Sequence, residues 1–136
     1  MKAKELRLGN WVTIDNKECY RELKNIPMYI LGIKERIYRD FPKSSHSITV
    51  QNDIKKHSYS QFNDFIKPIP LTEEWLLEFG FYKLDKYTFV KDGLFVYHRK
   101  RGFVTGSTKR EIKLQYVHKL QNWYHTFTEK ELQNPF

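Results

Sequence analysis

Long apolar runs are missing from this chain, and cysteine is almost so. No stretch approaches the roughly 20 consecutive apolar residues that a membrane-spanning helix requires. The opening segment, Met1-Lys-Ala-Lys-Glu-Leu-Arg-Leu8, is charged and has no apolar signal core. A soluble cytosolic protein without a membrane partner is therefore expected. Cys19 is the single cysteine, which excludes an intrachain disulfide and a cysteine-based metal knuckle. In its polar setting, Lys17-Glu18-Cys19-Tyr20, it reads as an incidental reduced thiol. Internal repeats and low-complexity tracts are absent, and only residues 40–46 resemble a linker.

Signatures of catalysis are scarce too. Gly102-Phe-Val-Thr-Gly106 lacks the Gly-Lys-Ser/Thr ending of a phosphate-cradling loop. The histidines are His46, His57, His98, His118 and His125. None makes the i, i+4 helical pair typical of a metal site. His118 and His125 would stand about 10 Å apart along a helix. No metal or cofactor is expected. His98 beside Arg99-Lys-Arg101 is the one nucleus for metal-free acid–base cleavage of RNA, although a histidine ending a hairpin strand is more often structural. Catalysis by Ser-His-Asp or Cys-His has no local signature here, so the expectation is a protein that is not an enzyme.

Aromatic residues and positive charge are what the chain has in excess. Its 136 residues include 22 aromatics, ten Phe, nine Tyr and three Trp. They serve either to fill a small core or to leave a binding face lined with rings. The formal charge is +8, unevenly spread. Residues 1–71 carry 13 Lys/Arg against 8 Asp/Glu, residues 72–98 carry 3 against 5, and residues 99–136 carry 8 against 3. An acidic centre with basic flanks points to an anionic partner, nucleic acid first.

The organising stretch is Ile69-Pro-Leu-Thr-Glu-Glu-Trp-Leu-Leu-Glu-Phe-Gly-Phe81. Thr72 is a good N-cap, and Glu73 and Glu74 suit the positive end of the helix dipole. Trp75, Leu76 and Phe79 form one apolar stripe, and Gly80 suits a left-handed helix stop. Such a short helix cannot stand alone.

The segment before it reads as short strands: Trp11–Ile14, Met28–Tyr38 with a bend at Gly32, Ser47–Gln51 and Phe65–Ile69. A single helical turn is expected within Tyr59–Asp64. These elements suggest a small SH3-like curled sheet. After Gly80, Tyr87–Lys91 and Leu94–His98 form a hairpin about Asp92-Gly93, a type I′ turn signal. A basic loop, Arg99–Arg110, follows, with room for a short strand at 103–105 and another at Glu111–Leu114. A second helix runs from Gln115 to about Thr126. Its stripe of Tyr116, Val117, Leu120, Tyr124 and Phe127 would cover the hairpin, with Trp123 at the edge. Thr128-Glu-Lys-Glu131 reads as a capping box for a last short turn. The expected fold class is α+β in a single domain, 1–136, with a β-rich half (1–71) and a helix–hairpin–helix half (72–136).

The basic loop is the leading candidate site. Arg99, Lys100, Arg101, Lys109, Arg110 and Lys113 place six cations in 15 residues, offset only by Glu111. Arg forks grip phosphate in two-point fashion and Lys acts as a point charge. Tyr97, Phe103 and Tyr116 are near enough in sequence to stack on bases. Lys55 and Lys56, with His57 and Lys43 nearby, form a weaker second patch. An ordinary solvated hairpin loop is the competing reading of the same charges.

Three framework segments, Glu5-Leu-Arg-Leu-Gly-Asn-Trp-Val12, Lys67-Pro-Ile-Pro-Leu-Thr-Glu-Glu-Trp-Leu-Leu-Glu-Phe-Gly-Phe81 and Tyr116-Val-His-Lys-Leu-Gln-Asn-Trp-Tyr124, resemble a family of small phage and prophage accessory proteins. The resemblance spans nearly the whole chain, with 15–60 and 99–112 the divergent parts. Its matched residues are caps, core and turns, so it transfers no catalytic site. It implies a mobile-element protein in the cytoplasm of a bacterial host. By analogy it suggests an anti-CRISPR or other anti-defence inhibitor that binds RNA, ahead of DNA, or a host nucleoprotein effector. The alternatives are a protein–protein inhibitor docking on an acidic enzyme surface, and, third, a metal-independent nuclease.

Overall fold

The computed structural model describes residues 1–16, 21–35, 46–52, 57–106 and 109–132. The fold is mixed α+β, with two open five-stranded antiparallel sheets. The chain divides into two compact units, Met1–Ile69 and Pro70–Phe136. Among the described residues no helix is long and apolar enough to cross a membrane.

The first unit holds β1 (Trp11–Ile14), β2 (Met28–Glu35), β3 (His46–Gln51), β4 (Ser58–Phe62) and β5 (Ile66–Pro68). Their order in the sheet is β4-β3-β2-β1-β5, so the last strand returns to the first. Alternation sends Val12, Ile14, Met28, Ile30, Ile48, Val50 and Ile66 inward, where they meet Leu6 and Leu23. The β2–β3 register shifts between Ile30 and Gly32, at the bend expected from the glycine. Leu31 is turned out there, 43% exposed.

The segment before β5 departs from its sequence reading. Residues 58–62 form β4, an edge strand on β3, and the helical turn is confined to a 3-10 turn at Asn63–Phe65. An edge strand with Ser58, Ser60 and Gln61 shows no run of buried apolar side chains, so its pattern carries no strand signal. Asn63 is buried and fixes the turn: its amide nitrogen donates to the Met1 carbonyl at 3.1 Å, and its Oδ1 accepts from the His46 amide at 3.2 Å.

The second unit begins with α1 (Glu73–Glu78). The Thr72 hydroxyl accepts from the Trp75 amide at 3.4 Å, Gly80 takes a φ of 91°, and Leu76 and Phe79 are buried. The sheet then builds from β6 (Tyr82–Asp85), β7 (Thr88–Lys91), β8 (Leu94–Arg99), β9 (Gly102–Thr105) and β10 (Ile112–Lys113), in the order β10-β9-β8-β7-β6. β6 is not legible in the sequence, because all four of its residues are exposed at the sheet edge. The Asp85 carboxylate accepts from the Tyr87 amide at 2.9 Å in the turn to β7. That bond, helped by the Thr88 hydroxyl, holds its carboxyl below the usual carboxylate range. Asp92 and Gly93 between β7 and β8 have φ of 50° and 75°, the two positive values of a type I′ turn.

α2 (Val117–Thr128) ends the unit. It buries Val117, Leu120 and Tyr124, and also His118 and Gln121, whereas Phe127 is 61% exposed and is not part of the buried stripe. The capping-box reading of Thr128–Glu131 fails. Glu129 closes α2 in the left-handed conformation, the Thr128 hydroxyl accepts from the Lys130 amide at 3.1 Å, and Glu131 lies 3.6 Å from His125.

Candidate functional site

The sheet of the second unit has two unlike faces. Phe89 pairs with Val96, and Phe103 with His98. Directly paired residues point the same way, so these four share a face. Phe89, Val96 and Phe103 are buried there. The alternate residues of β8, namely Phe95, Tyr97 and Arg99, stand on the other side. The rings of Phe95 and Tyr97 are stacked, 6.4 Å apart and 10° from parallel. The Arg99 guanidinium lies over the Tyr97 ring at 5.0 Å. The result is a ladder of two rings and a cation along one strand.

Register extends this face across the sheet. Tyr97 pairs with Val104, which pairs with Lys113, so the lysine stands two strands away, about 10 Å. In the next row Phe95 pairs with Val90, and Val90 with Tyr82. Tyr82 is 58% and Phe95 41% exposed, while Val90 between them, and Val104 between Tyr97 and Lys113, are buried. Large rings are thus presented over a floor of small apolar side chains.

The sequence-predicted cations distribute as follows. Arg99 is the last residue of β8 rather than part of a loop. Lys100 and Arg101 form the exposed turn to β9, and Lys109 and Arg110 are exposed ahead of β10. A Cβ on Gly106 (φ 94°) would collide with the Arg110 carbonyl oxygen, so this turn requires glycine. Lys55 and Lys56 lie outside the described residues. Phe103 must be removed from the stacking set. It is only 5% exposed, edge-on to Phe89 at 6.1 Å and stacked on His98 at 4.4 Å. A base could reach it only by displacing the core. Tyr116, half-buried at the start of α2, stacks on His118 at 5.9 Å.

Beside the ladder is a cleft of about 320 Å³. Phe95, Tyr97 and Leu94 line it from β8, Ile112 from β10, and Trp123 and Phe127 from α2. Gly93, Thr105 and Gly106 complete it, and the Thr105 hydroxyl is already committed to the Phe95 carbonyl at 2.7 Å. α2 is tied to the β7–β8 turn by the Tyr124 hydroxyl, which donates to the Asp92 carboxylate. Burial first, then the hydrogen bond to Asp92 and the negative charge of that carboxylate, push the Tyr124 hydroxyl up to about 12. Sequence reasoning does not mark Phe95, Ile112 or Phe127 as site residues. The i, i+2, i+4 spacing of Phe95, Tyr97 and Arg99 is the signal that could have found the first of them.

Among the described residues no group of three or more His, Cys, Asp or Glu comes together that could hold a metal ion. Searches against family models, curated proteins and solved structures return no match to this chain.

Proposed function

We propose that this protein is a non-enzymatic binder of single-stranded nucleic acid, RNA ahead of DNA. The observation that carries the reading is the Phe95–Tyr97–Arg99 ladder with Lys113 in register on the same sheet face. Exposed rings on a sheet offer stacking to any base, and adjacent cations take phosphates. Lys100, Arg101, Lys109 and Arg110 extend the positive charge around that face. His98 stacks on Phe103 in the structure, an arrangement that supports a structural role over a nuclease centred on it.

The anti-defence setting, inhibition of a CRISPR-type nucleoprotein in a bacterial host, is part of the same proposal. Its support is the resemblance of the framework segments. We also infer an SH3-like sheet in the first unit, supported by the order β4-β3-β2-β1-β5 and the 3-10 turn directly before β5.

Fluorescence anisotropy with a labelled single-stranded RNA decamer tests the reading. Tyr97→Ala is expected to weaken binding by about tenfold, the loss of one stacked base. Arg99→Ala combined with Lys100→Ala and Arg101→Ala is expected to weaken it further and to flatten its salt dependence. Unchanged binding in both variants would remove this face from the account.

A further inference from the structure

The cleft next to the ladder is built for something other than phosphate. Its volume, about 320 Å³, is at the small end of ligand pockets, about 300–1,000 Å³. That is room for a planar base with its sugar, and too little for a helix or a folded loop. Phe95 and Tyr97 belong to both cleft and ladder, so the two surfaces are continuous. Trp123 and Phe127, with rings 6.0 Å apart, form the helical side. Phe127 remains 61% exposed on a helix that buries Tyr124.

Cations border these walls. Arg99 lies on Tyr97, and Lys113 stands in the same row and on the same sheet face as Tyr97, through Val104. A ligand suited to the whole arrangement is flat and apolar at one end and anionic along its attachment. A neutral apolar ligand would leave the cations unused. A duplex would meet the cations but has no free base to insert.

We propose that the cleft takes one unstacked base of a single-stranded nucleic acid, between the β8 rings and Trp123/Phe127, while its flanking phosphates lie at Arg99 and Lys113. The inference rests on the nucleic-acid reading above and adds to it a preference for unpaired strands. Few polar groups face the cleft, so the identity of the base matters little.

The test uses the full-length protein with a single-stranded RNA decamer, the same strand in a duplex, and the decamer with one central abasic nucleotide. Wild-type protein is expected to bind the single strand at least about tenfold more tightly than the duplex. Phe127→Ala and Trp123→Ala are each expected to cost about tenfold on the single strand and to leave the salt dependence unchanged, since neither residue is charged. Tryptophan emission should be quenched by the decamer in wild type and much less in Trp123→Ala. Because Phe127 is exposed, its variant keeps the fold, and an unchanged thermal transition verifies this. Affinities within about twofold of wild type in both variants, with Arg99→Ala and Lys113→Ala still weakened, overturn the cleft assignment and leave the ladder reading standing. No binding of any of these RNAs by wild type removes both.

Discussion

Tyr124 is the residue on which the geometry of the candidate site depends, since its bond to Asp92 ties α2 to the turn that carries Gly93. Tyr124→Phe removes one charge-assisted hydrogen bond and leaves an exposed carboxylate that water can serve. The expected loss of stability is about 1.5 kcal/mol, read as a lower urea midpoint. The tyrosine's folded value, about 12, lies above its ordinary 10. Its contribution is therefore complete below pH 10 and is lost as pH rises from 10 towards 12. The stability gap between wild type and Tyr124→Phe should shrink across that window; a constant gap would show that the hydroxyl stabilises the fold through its packing and not through the proton it donates to Asp92. Gly106→Ala is expected to cost at least about 2 kcal/mol, because the added methyl meets the Arg110 carbonyl at a positive φ. Its effect on RNA binding should exceed that of substituting any single cation, since it displaces the segment bearing Lys109 and Arg110. Single residues are the hardest part to read from sequence. Tyr97 and Phe103 look alike there, aromatics flanking a basic turn, yet strand alternation leaves one half-buried on the ladder face and buries the other in the core.

Elements with strong local chemistry are legible: α1 from Thr72 to Gly80, the Asp92-Gly93 hairpin, and the apolar alternation of β1 and β3. β4 and β6 are not. Both are edge strands, so neither buries a continuous row of side chains, and what defines them is pairing with a neighbour. The basic loop misleads for a related reason. Its cations mask a continuation of β8 to Arg99 and the start of β9, where the two-residue turn at Lys100-Arg101 carries no glycine–asparagine signal. Thr128 has the motif of a capping box, but the left-handed Glu129 closes α2 and residues 129–132 take no helical turn. At this scale Thr72→Ala should destabilise the second unit by about 1 kcal/mol through the lost α1 cap. A helix of six residues has little else to hold its first turn. No change in the denaturation midpoint would mean that packing of Leu76 and Phe79 alone maintains it.

For the whole molecule, charge is the property most open to measurement. Of the formal +8, the residues before position 72 contribute +5, while the ladder, the cleft and the turns beside them lie in the second unit. Substituting Lys109 and Arg110 by Ala, both exposed in the second unit, is expected to flatten the salt dependence of RNA binding by about 1.4, some 0.7 for each phosphate no longer neutralised. Affinity at high salt, set by stacking on Phe95 and Tyr97, should hardly move. An unaltered slope would confine phosphate binding to Arg99, Lys100, Arg101 and Lys113. Titrating salt against the binding of a single-stranded decamer to wild-type protein asks whether an aromatic and cationic sheet face holds single-stranded RNA. Tight binding is expected at about 50 mM salt, falling with a log–log slope of about −3 or steeper, as phosphates neutralised at Arg99, Lys100, Arg101 and Lys113 require. Absence of binding at that salt, or binding indifferent to it, would mean that this face does not bind RNA.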